Sequence, residues 1–270
     1  LRDRRFFLWV HYLDPHLPYD APGSARSVPL SFLEDMRVGR VAPAGALPQA
    51  REAYAEEVLY ADREIGRLLA HLRARDLEKE TLVVLTSDHG EEFGEHGGFE
   101  HGHSLHDEVL RVPLLLAFPG SRHAGRRVGA TVSLLDLAPT ILAVAGLPPD
   151  PGAEGSSLLP LLEGGAEPAP RAAFSESLLY GEEAKSIRTD RWRLILRNGE
   201  SEPLVLDHAR DPAGERADRP EDPEVRGLRD RLVEWARRMR AEARKLEARR
   251  GAEPADAETE RGLRALGYLR

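Results

Sequence analysis

Cysteine is absent from all 270 residues, which excludes disulfide bonds, thiolate-ligated metal ions and a cysteine nucleophile within this chain. Long apolar runs are absent too, because no stretch approaches the roughly 20 residues that a helix needs to cross a bilayer. A basic face is also lacking: the 38 Lys and Arg residues are scattered along a chain with a formal net charge of −8. Nucleic-acid-binding proteins gather such residues on one surface. We therefore expect neither a transmembrane segment nor a nucleic-acid partner here.

The order of hydrophobic patterns indicates an α/β fold. Residues 6–10 form a continuous apolar run, which is typical of a strand buried on both faces of a parallel sheet. Residues 82–85 and 114–118 repeat this pattern. Apolar residues spaced by three and four predict an amphipathic helix over residues 49–75, and a second helix is predicted to begin at Asp136. This order predicts a largely parallel sheet sandwiched by helices.

The pattern changes in a Gly- and Pro-rich connection near residue 165. Beyond it, four short strand-like segments, one followed by the hairpin-favouring pair Asn198-Gly199, precede an amphipathic helix. We expect three parts: the C-terminal portion of an α/β catalytic domain over residues 1–165, a small antiparallel sheet with one helix over residues 166–247, and a tail over residues 248–270. Because the chain leads at once into an apolar run, we expect it to begin partway through the first domain.

Asp88 and His89 directly follow the second predicted strand. Sites in open α/β sheets form beyond the carboxyl ends of strands, and a carboxylate beside an imidazole suits a divalent cation. Gly90 allows the sharp turn that lets both side chains face one point. Five of the ten histidines lie between residues 89 and 106, which favours a metal site over an exposed, histidine-rich loop.

A second candidate site follows the first predicted strand. His16 lies between Pro15 and Pro18, which restrict the backbone and hold the imidazole in one direction. A protonated imidazole held in this way can bind an anionic oxygen or protonate a leaving group. An exposed histidine in a proline-shaped turn is the alternative, and these residues alone leave both open.

Several of these segments resemble sulfatases, in the order in which that family has them. The resemblance extends over residues 6 to 240. Its segments are Pro15-His16-Leu17-Pro18-Tyr19, the helix over residues 54–69, Thr86-Ser87-Asp88-His89-Gly90, Arg111-Val112-Pro113 and Asp136-Leu137-Ala138-Pro139-Thr140.

Sulfatases belong to the alkaline-phosphatase superfamily, so the resemblance implies hydrolysis of a small anionic sulfate ester at one divalent metal ion. The family's later pair of metal ligands falls on Asp88 and His89, with Ca²⁺ favoured and Mn²⁺ or Zn²⁺ as alternatives. Its substrate-contacting histidine falls on His16. Counted back from Arg111, the second cation near the sulfate falls on His103. We expect His16 and His103 to bind the substrate and to act in catalysis.

Two parts of the sulfatase pattern do not occur among the 270 residues: the Cys/Ser-x-Pro-x-Arg motif that supplies the formylglycine nucleophile, and the N-terminal Asp pair. We therefore expect the chain to be the C-terminal part of a sulfatase-like hydrolase and to be inactive alone. The resemblance also implies a periplasmic or other extracytoplasmic location.

Three other functions stay open. A phosphodiester or phosphonate ester hydrolase of the same superfamily could hold a second metal ion, for which Asp14 and His101 are candidate ligands. A phosphoethanolamine-type transferase shares the Asp-His-Gly segment. The missing nucleophile motif also allows a non-catalytic fragment or pseudoenzyme half, although the retained Asp88, His89 and His16 argue against it.

Overall fold

The computed structural model describes residues 4–24, 26, 28, 45–165, 171–177, 182–214 and 221–249. The chain divides into two compact units, of which the first comprises Leu1–His101 and Arg111–Arg127 and the second comprises Gly102–Leu110 and Val128–Arg270. Residues 128–165, which the sequence places in the first predicted domain, thus belong to the second unit. Most of the predicted tail, residues 250–270, lies outside the described residues. None of the described helices combines the length and the apolar character needed to span a bilayer.

Helix α1, Ala46–Ala74, is the longest element of the first unit, and it confirms the predicted amphipathic helix. Its fully buried face consists of Ala50, Ala53, Glu57 and Ala61, whereas Val58 of the predicted apolar face is 42% exposed. Because alanine side chains are short, neighbouring segments approach the helix closely. A core cluster forms there from Tyr19, Val28, Ala50, Ala53 and Phe99.

The strands of the first unit pair differently from the prediction. Strand β1, Val83–Thr86, lies next to β4, Leu114–Ala117, in antiparallel register. Between them the chain forms a short hairpin of β2, Glu92–Phe93, and β3, Phe99–Glu100, and a one-turn helix α2, Asp107–Leu110. Parallel strands require a long crossover, usually a full helix. The predicted largely parallel sheet is therefore not found among the described residues.

Residues 6–10 also differ from the prediction. They adopt no regular secondary structure, and their apolar side chains are exposed, with Phe7 and Trp9 both at 76%. An apolar run is buried only where neighbouring strands and helices cover it. Within the described part of the chain, no strand pairs with these residues.

The second unit confirms the predicted small antiparallel sheet with one helix. Four strands pair in chain order: β5, Ala173–Ser177; β6, Ala184–Arg188; β7, Trp192–Arg197; and β8, Leu204–Asp207. Helix α5, Pro223–Arg249, buries Leu228 and Leu232 against Trp192 and Leu194. Full burial of each large apolar side chain contributes roughly 1.5–3 kcal/mol, so this interface is a major source of stability for the unit.

Two further helices precede this sheet: α3, Leu137–Val144, and α4, Leu159–Leu162. The predicted helix start at Asp136 is confirmed, because Asp136 is the N-cap residue of α3, although its side chain does not cap that helix. A 3₁₀ turn, Leu134–Asp136, comes first, and Ser133 caps this turn. Asp136 instead accepts hydrogen bonds from the backbone N–H of Ser133 and of Ser156, both at 2.8 Å, and from Arg171 at 2.6 Å. The buried carboxylate thus joins three segments of the second unit.

Candidate active site

The turn after β1 carries the two residues predicted to bind a metal ion. Thr86 ends the strand and donates its hydroxyl to the carbonyl of Pro113 at 2.9 Å, which holds the turn beside the start of β4. Asp88 Oδ1 accepts the backbone N–H of His89 at 3.0 Å. The Asp88 side chain is 60% exposed and the His89 side chain 27%, so both are accessible to an ion.

The ring of His89 has a defined tautomer. Its Nδ1 lies 2.9 Å from the carbonyl oxygen of Gly90, and because a carbonyl can only accept, Nδ1 carries the proton. Metal-binding histidines usually donate the second ring nitrogen to a carbonyl or a carboxylate in this way. In the neutral imidazole, the lone pair is then on Nε2, which lies 3.8 Å from Asp88 Oδ2. These two atoms fit a shared divalent ion as part of its ligand set.

No group of three or more His, Asp or Glu side chains arranged to hold a metal ion occurs within the described residues. Structural and catalytic divalent ions in proteins take at least three protein ligands in most sites. Asp88 and His89 would supply two ligands at most, and a bound ion would need others.

Three histidines from separate segments come together in the first unit. The rings of His89 and His101 stack with their centroids 3.8 Å apart and an angle of 27° between their planes. His16 meets His101 edge-on at 5.6 Å, and its Nδ1 donates to the carbonyl of Leu17 at 2.9 Å. His16, from the proline-bounded loop, thus lies near the turn that carries His89. This cluster concentrates potential positive charge where an anionic group could bind.

A buried carboxylate supports the cluster. Glu91 Oε1 lies 2.9 Å from His101 Nδ1, and Glu91 Oε2 accepts the hydroxyl of Tyr19 at 2.7 Å. Burial raises the pKa of the Tyr19 phenol far above its ordinary value, with the charge of Glu91 as the next cause, so the phenol remains a donor. The sequence patterns assign no role to Glu91 or Tyr19. Their positions next to the Asp-His-Gly turn and at the end of the Pro-His-x-Pro loop are the signal that could have found them.

A second carboxylate is buried nearby on α1. Glu57 is only 1% exposed, and burial raises its pKa to about 7, with the carboxyl group of Asp14 as a further cause. Asp14, a candidate ligand for a second metal ion, thus lies close to Glu57. Its role in metal binding stays a prediction.

His103 belongs to the second unit. It lines a cavity of about 250 Å³ together with Ser104, His106, Glu182 and Arg197, among others. Its assignment as a contact to the sulfate, made from its spacing to Arg111, stays a prediction. In the first unit it is His101 that lies beside His16 and His89.

Comparison with protein families gives two overlapping matches. The family model "Sulfatase" matches residues 1–147. The model "N-sulphoglucosamine sulphohydrolase, C-terminal" matches residues 94–242.

Curated relatives match only part of their own length. The chain is 36% identical over 162 residues to arylsulfatase K of Gallus gallus, which is 56% of this chain and 30% of that protein. It is 36% identical over 150 residues to N-acetylglucosamine-6-O-sulfatase of Bacteroides thetaiotaomicron, which is 53% of this chain and 27% of that protein. The chain thus spans less than a third of the length of these relatives.

Two solved structures also match this chain over only part of their own length. BT4656 in complex with its substrate D-glucosamine-2-N,6-O-disulfate is similar with a TM-score of 0.58 and 28% identity, over 71% of this chain and 41% of that one. Phosphonate monoester hydrolase of Agrobacterium radiobacter is similar with a TM-score of 0.60 and 28% identity, over 74% of this chain and 43% of that one.

Proposed function

The chain belongs to the sulfatase family of the alkaline-phosphatase superfamily, and on that premise we propose that the protein carrying it hydrolyses a sulfate ester with one divalent metal ion. The observation that carries the proposal is the convergence of Asp88, His89, His101 and His16 from three segments of the first unit. A carboxylate and an imidazole are suitable ligands for the ion. The neighbouring imidazoles are suitable contacts for an anionic ester.

Asp88 and His89 are proposed as metal ligands, through Oδ2 and Nε2. When bound, the ion would neutralise charge on a non-bridging oxygen of the ester and lower the pKa of the nucleophile. The hydrogen bond from His89 Nδ1 to Gly90 orients the ring for this role, because in the neutral imidazole it places the lone pair on Nε2. Ca²⁺ is the proposed ion, with Mn²⁺ or Zn²⁺ as alternatives.

His16 is proposed to bind the sulfate and to protonate the leaving oxygen. Its Nδ1 is held by the Leu17 carbonyl, which fixes the plane of the ring. A correctly placed general acid contributes about 10²- to 10⁴-fold to a rate. His103 is proposed as a second contact to the substrate from its spacing to Arg111. In the first unit, His101 stacks on His89 and offers a further imidazole near the proposed metal ligands.

One observation favours a second candidate. The similarity to a phosphonate monoester hydrolase, over 74% of this chain, supports hydrolysis of a phosphonate or phosphodiester. The relatives named as sulfatases favour the sulfate ester instead. Parallel assays with a nitrophenyl sulfate and a phenylphosphonate monoester decide between them by the ratio of the two kcat/KM values.

The metal site is tested by Asp88→Ala in the complete protein that carries this chain. Removing the carboxylate takes away one ligand, so we expect the metal content per protein after dialysis, measured by mass spectrometry, to fall by about 10-fold or more. Asp62→Ala is the matched control, because Asp62 is an exposed carboxylate on α1. An Asp88→Ala protein that is folded and retains the parent's metal content would contradict the assignment.

A further inference from the structure

We propose that Glu91 and Tyr19 are positioning residues, which fix the ring of His101 against His89 and beside His16. The catalytic consequence of this inference rests on the proposed function. The geometry that the inference explains is independent of that function. Neither residue needs to touch the substrate. Their role is to hold one imidazole of the cluster in a single tautomer and a single plane.

Both carboxylate oxygens of Glu91 make a hydrogen bond. Oε1 is 2.9 Å from His101 Nδ1 and Oε2 is 2.7 Å from the Tyr19 hydroxyl. Only 3% of the Glu91 side chain and 12% of the His101 side chain are exposed. At this distance the Nδ1–H of His101 can donate to Oε1, while Oε2 accepts the hydroxyl of Tyr19. The ring of His101 is therefore held at a defined nitrogen by a carboxylate that cannot rotate away without losing Tyr19.

Burial and neighbouring aromatic rings hold the Tyr19 side chain in place. Its side chain is completely buried, and its ring meets Tyr54 edge-on at 5.6 Å and Phe93 at 6.1 Å. The elevated pKa of the phenol, caused first by burial, keeps the hydroxyl protonated. Tyr19 thus acts as a rigid donor that sets the orientation of the Glu91 carboxylate.

The Glu91 carboxylate also connects the three segments that carry the clustered histidines. Tyr19 lies three residues after His16 in the same loop, Glu91 lies two residues after His89, and His101 follows β3. A single buried group therefore ties together the three segments that bring histidines to the cluster. If it is removed, His101 loses the contact that defines its tautomer, while its ring contacts with His89 and His16 remain.

A purely structural role is the competing explanation, and the test has to separate the two. Glu91→Gln keeps the shape of the side chain but replaces one accepting oxygen by a donating NH₂, which is mismatched with either Tyr19 or His101. Tyr19→Phe keeps the buried ring and removes only the hydroxyl. Tyr54→Phe is the matched control, because Tyr54 lies in the same aromatic cluster and makes no hydrogen bond to Glu91 in the described part of the chain.

The readout that does not depend on activity is the tautomer of His101, observed by NMR of histidine-labelled protein through the couplings of the ring nitrogens. We expect the Nδ1–H tautomer in the parent and in Tyr54→Phe, and a mixture of tautomers in Glu91→Gln. In the complete protein we also expect Glu91→Gln to lower kcat for a nitrophenyl sulfate by about 10- to 100-fold, with KM and metal content little changed. Tyr19→Phe should show a smaller change of the same kind.

A folded Glu91→Gln protein with the parent's tautomer and with kcat within about twofold of the parent would overturn the proposal. If Glu91→Gln does not fold, Tyr19→Phe decides: an unchanged tautomer and unchanged kcat would overturn it. If the parent hydrolyses no sulfate ester, the proposed function fails, and the tautomer measurement still decides whether Glu91 positions His101.

Discussion

Glu57 offers a quantitative test of the packing around α1. Its carboxyl group is on the buried face of the helix and is 1% exposed, beside a core cluster formed by apolar and aromatic side chains. Burial raises its pKa from 4.5 to about 7, and the negative charge of Asp14 contributes in the same direction. Glu57→Gln removes this titration and preserves the size of the side chain.

The sign of the effect follows from proton binding. Between pH 4.5 and pH 7 the folded state binds more protons at Glu57 than the unfolded state does. The contribution of this group to the free energy of unfolding is therefore complete below pH 4.5 and is lost as the pH rises through 7. One pKa unit corresponds to about 1.4 kcal/mol, so the shift makes the folded protein roughly 3 kcal/mol less stable at pH 8 than in acid through this group alone.

Urea unfolding of the parent and of Glu57→Gln between pH 5 and pH 8 measures the effect. We expect the variant to gain about 2–3 kcal/mol relative to the parent over this range. Glu56→Gln is the matched control, because the hydrogen bond from Ser24 lowers the pKa of Glu56 and moves its titration to more acidic pH. If the curves of the parent and of Glu57→Gln run parallel from pH 5 to pH 8, the reasoning about Glu57 is refuted.

Two further predictions concern the second unit, both measured by urea unfolding. Gly227 lies on the exposed side of α5, and a Cβ there would meet no atom within 4 Å, so Gly227→Ala should raise the free energy of unfolding by about 1 kcal/mol; a decrease would contradict the packing of α5. Asp107→Ala should lower it by about 3–5 kcal/mol, because Arg193 is buried 2.5 Å from Asp107 and would lose this ion pair. Burial lowers the pKa of Arg193 to about 10, so the guanidinium is still charged at neutral pH, and a loss well below 1 kcal/mol would show that the pair is dispensable.

The small antiparallel sheet could be predicted from the sequence because its contacts are local. Strands β5 to β8 pair in chain order, and each register depends on a short connection such as the one that contains Asn198 and Gly199. The long helix α1 could be predicted equally well, since its pattern of apolar residues extends over many turns. The apolar pattern did not reveal that Glu57 lies on the buried face, because the alanines beside it contribute little to an apolar pattern.

In the first unit, the apolar patterns of the sequence did not predict how the segments pair or which of them are buried. A continuous apolar run in residues 6–10 resembles a buried strand, but burial depends on which neighbours cover it, and in the described part of the chain these residues are exposed. Likewise, the runs that became β1 and β4 are compatible with either direction of pairing. The two strands pair in the antiparallel direction, and the segment between them contains no full crossover helix of the kind that parallel pairing needs.

By itself, the sequence determined the family, and it predicted two candidate site segments: the proline-bounded loop with His16 and the turn with Asp88 and His89. Only the tertiary structure showed that His101 lies against His89 and has Glu91 as a partner. Counting back from Arg111 selected His103, and its role as a contact to the sulfate stays a prediction. The physical reason is that spacing along a chain reports only local geometry. The hydrogen bond that orders this cluster joins Tyr19 and Glu91, 72 residues apart, and forms only when separate segments have packed together.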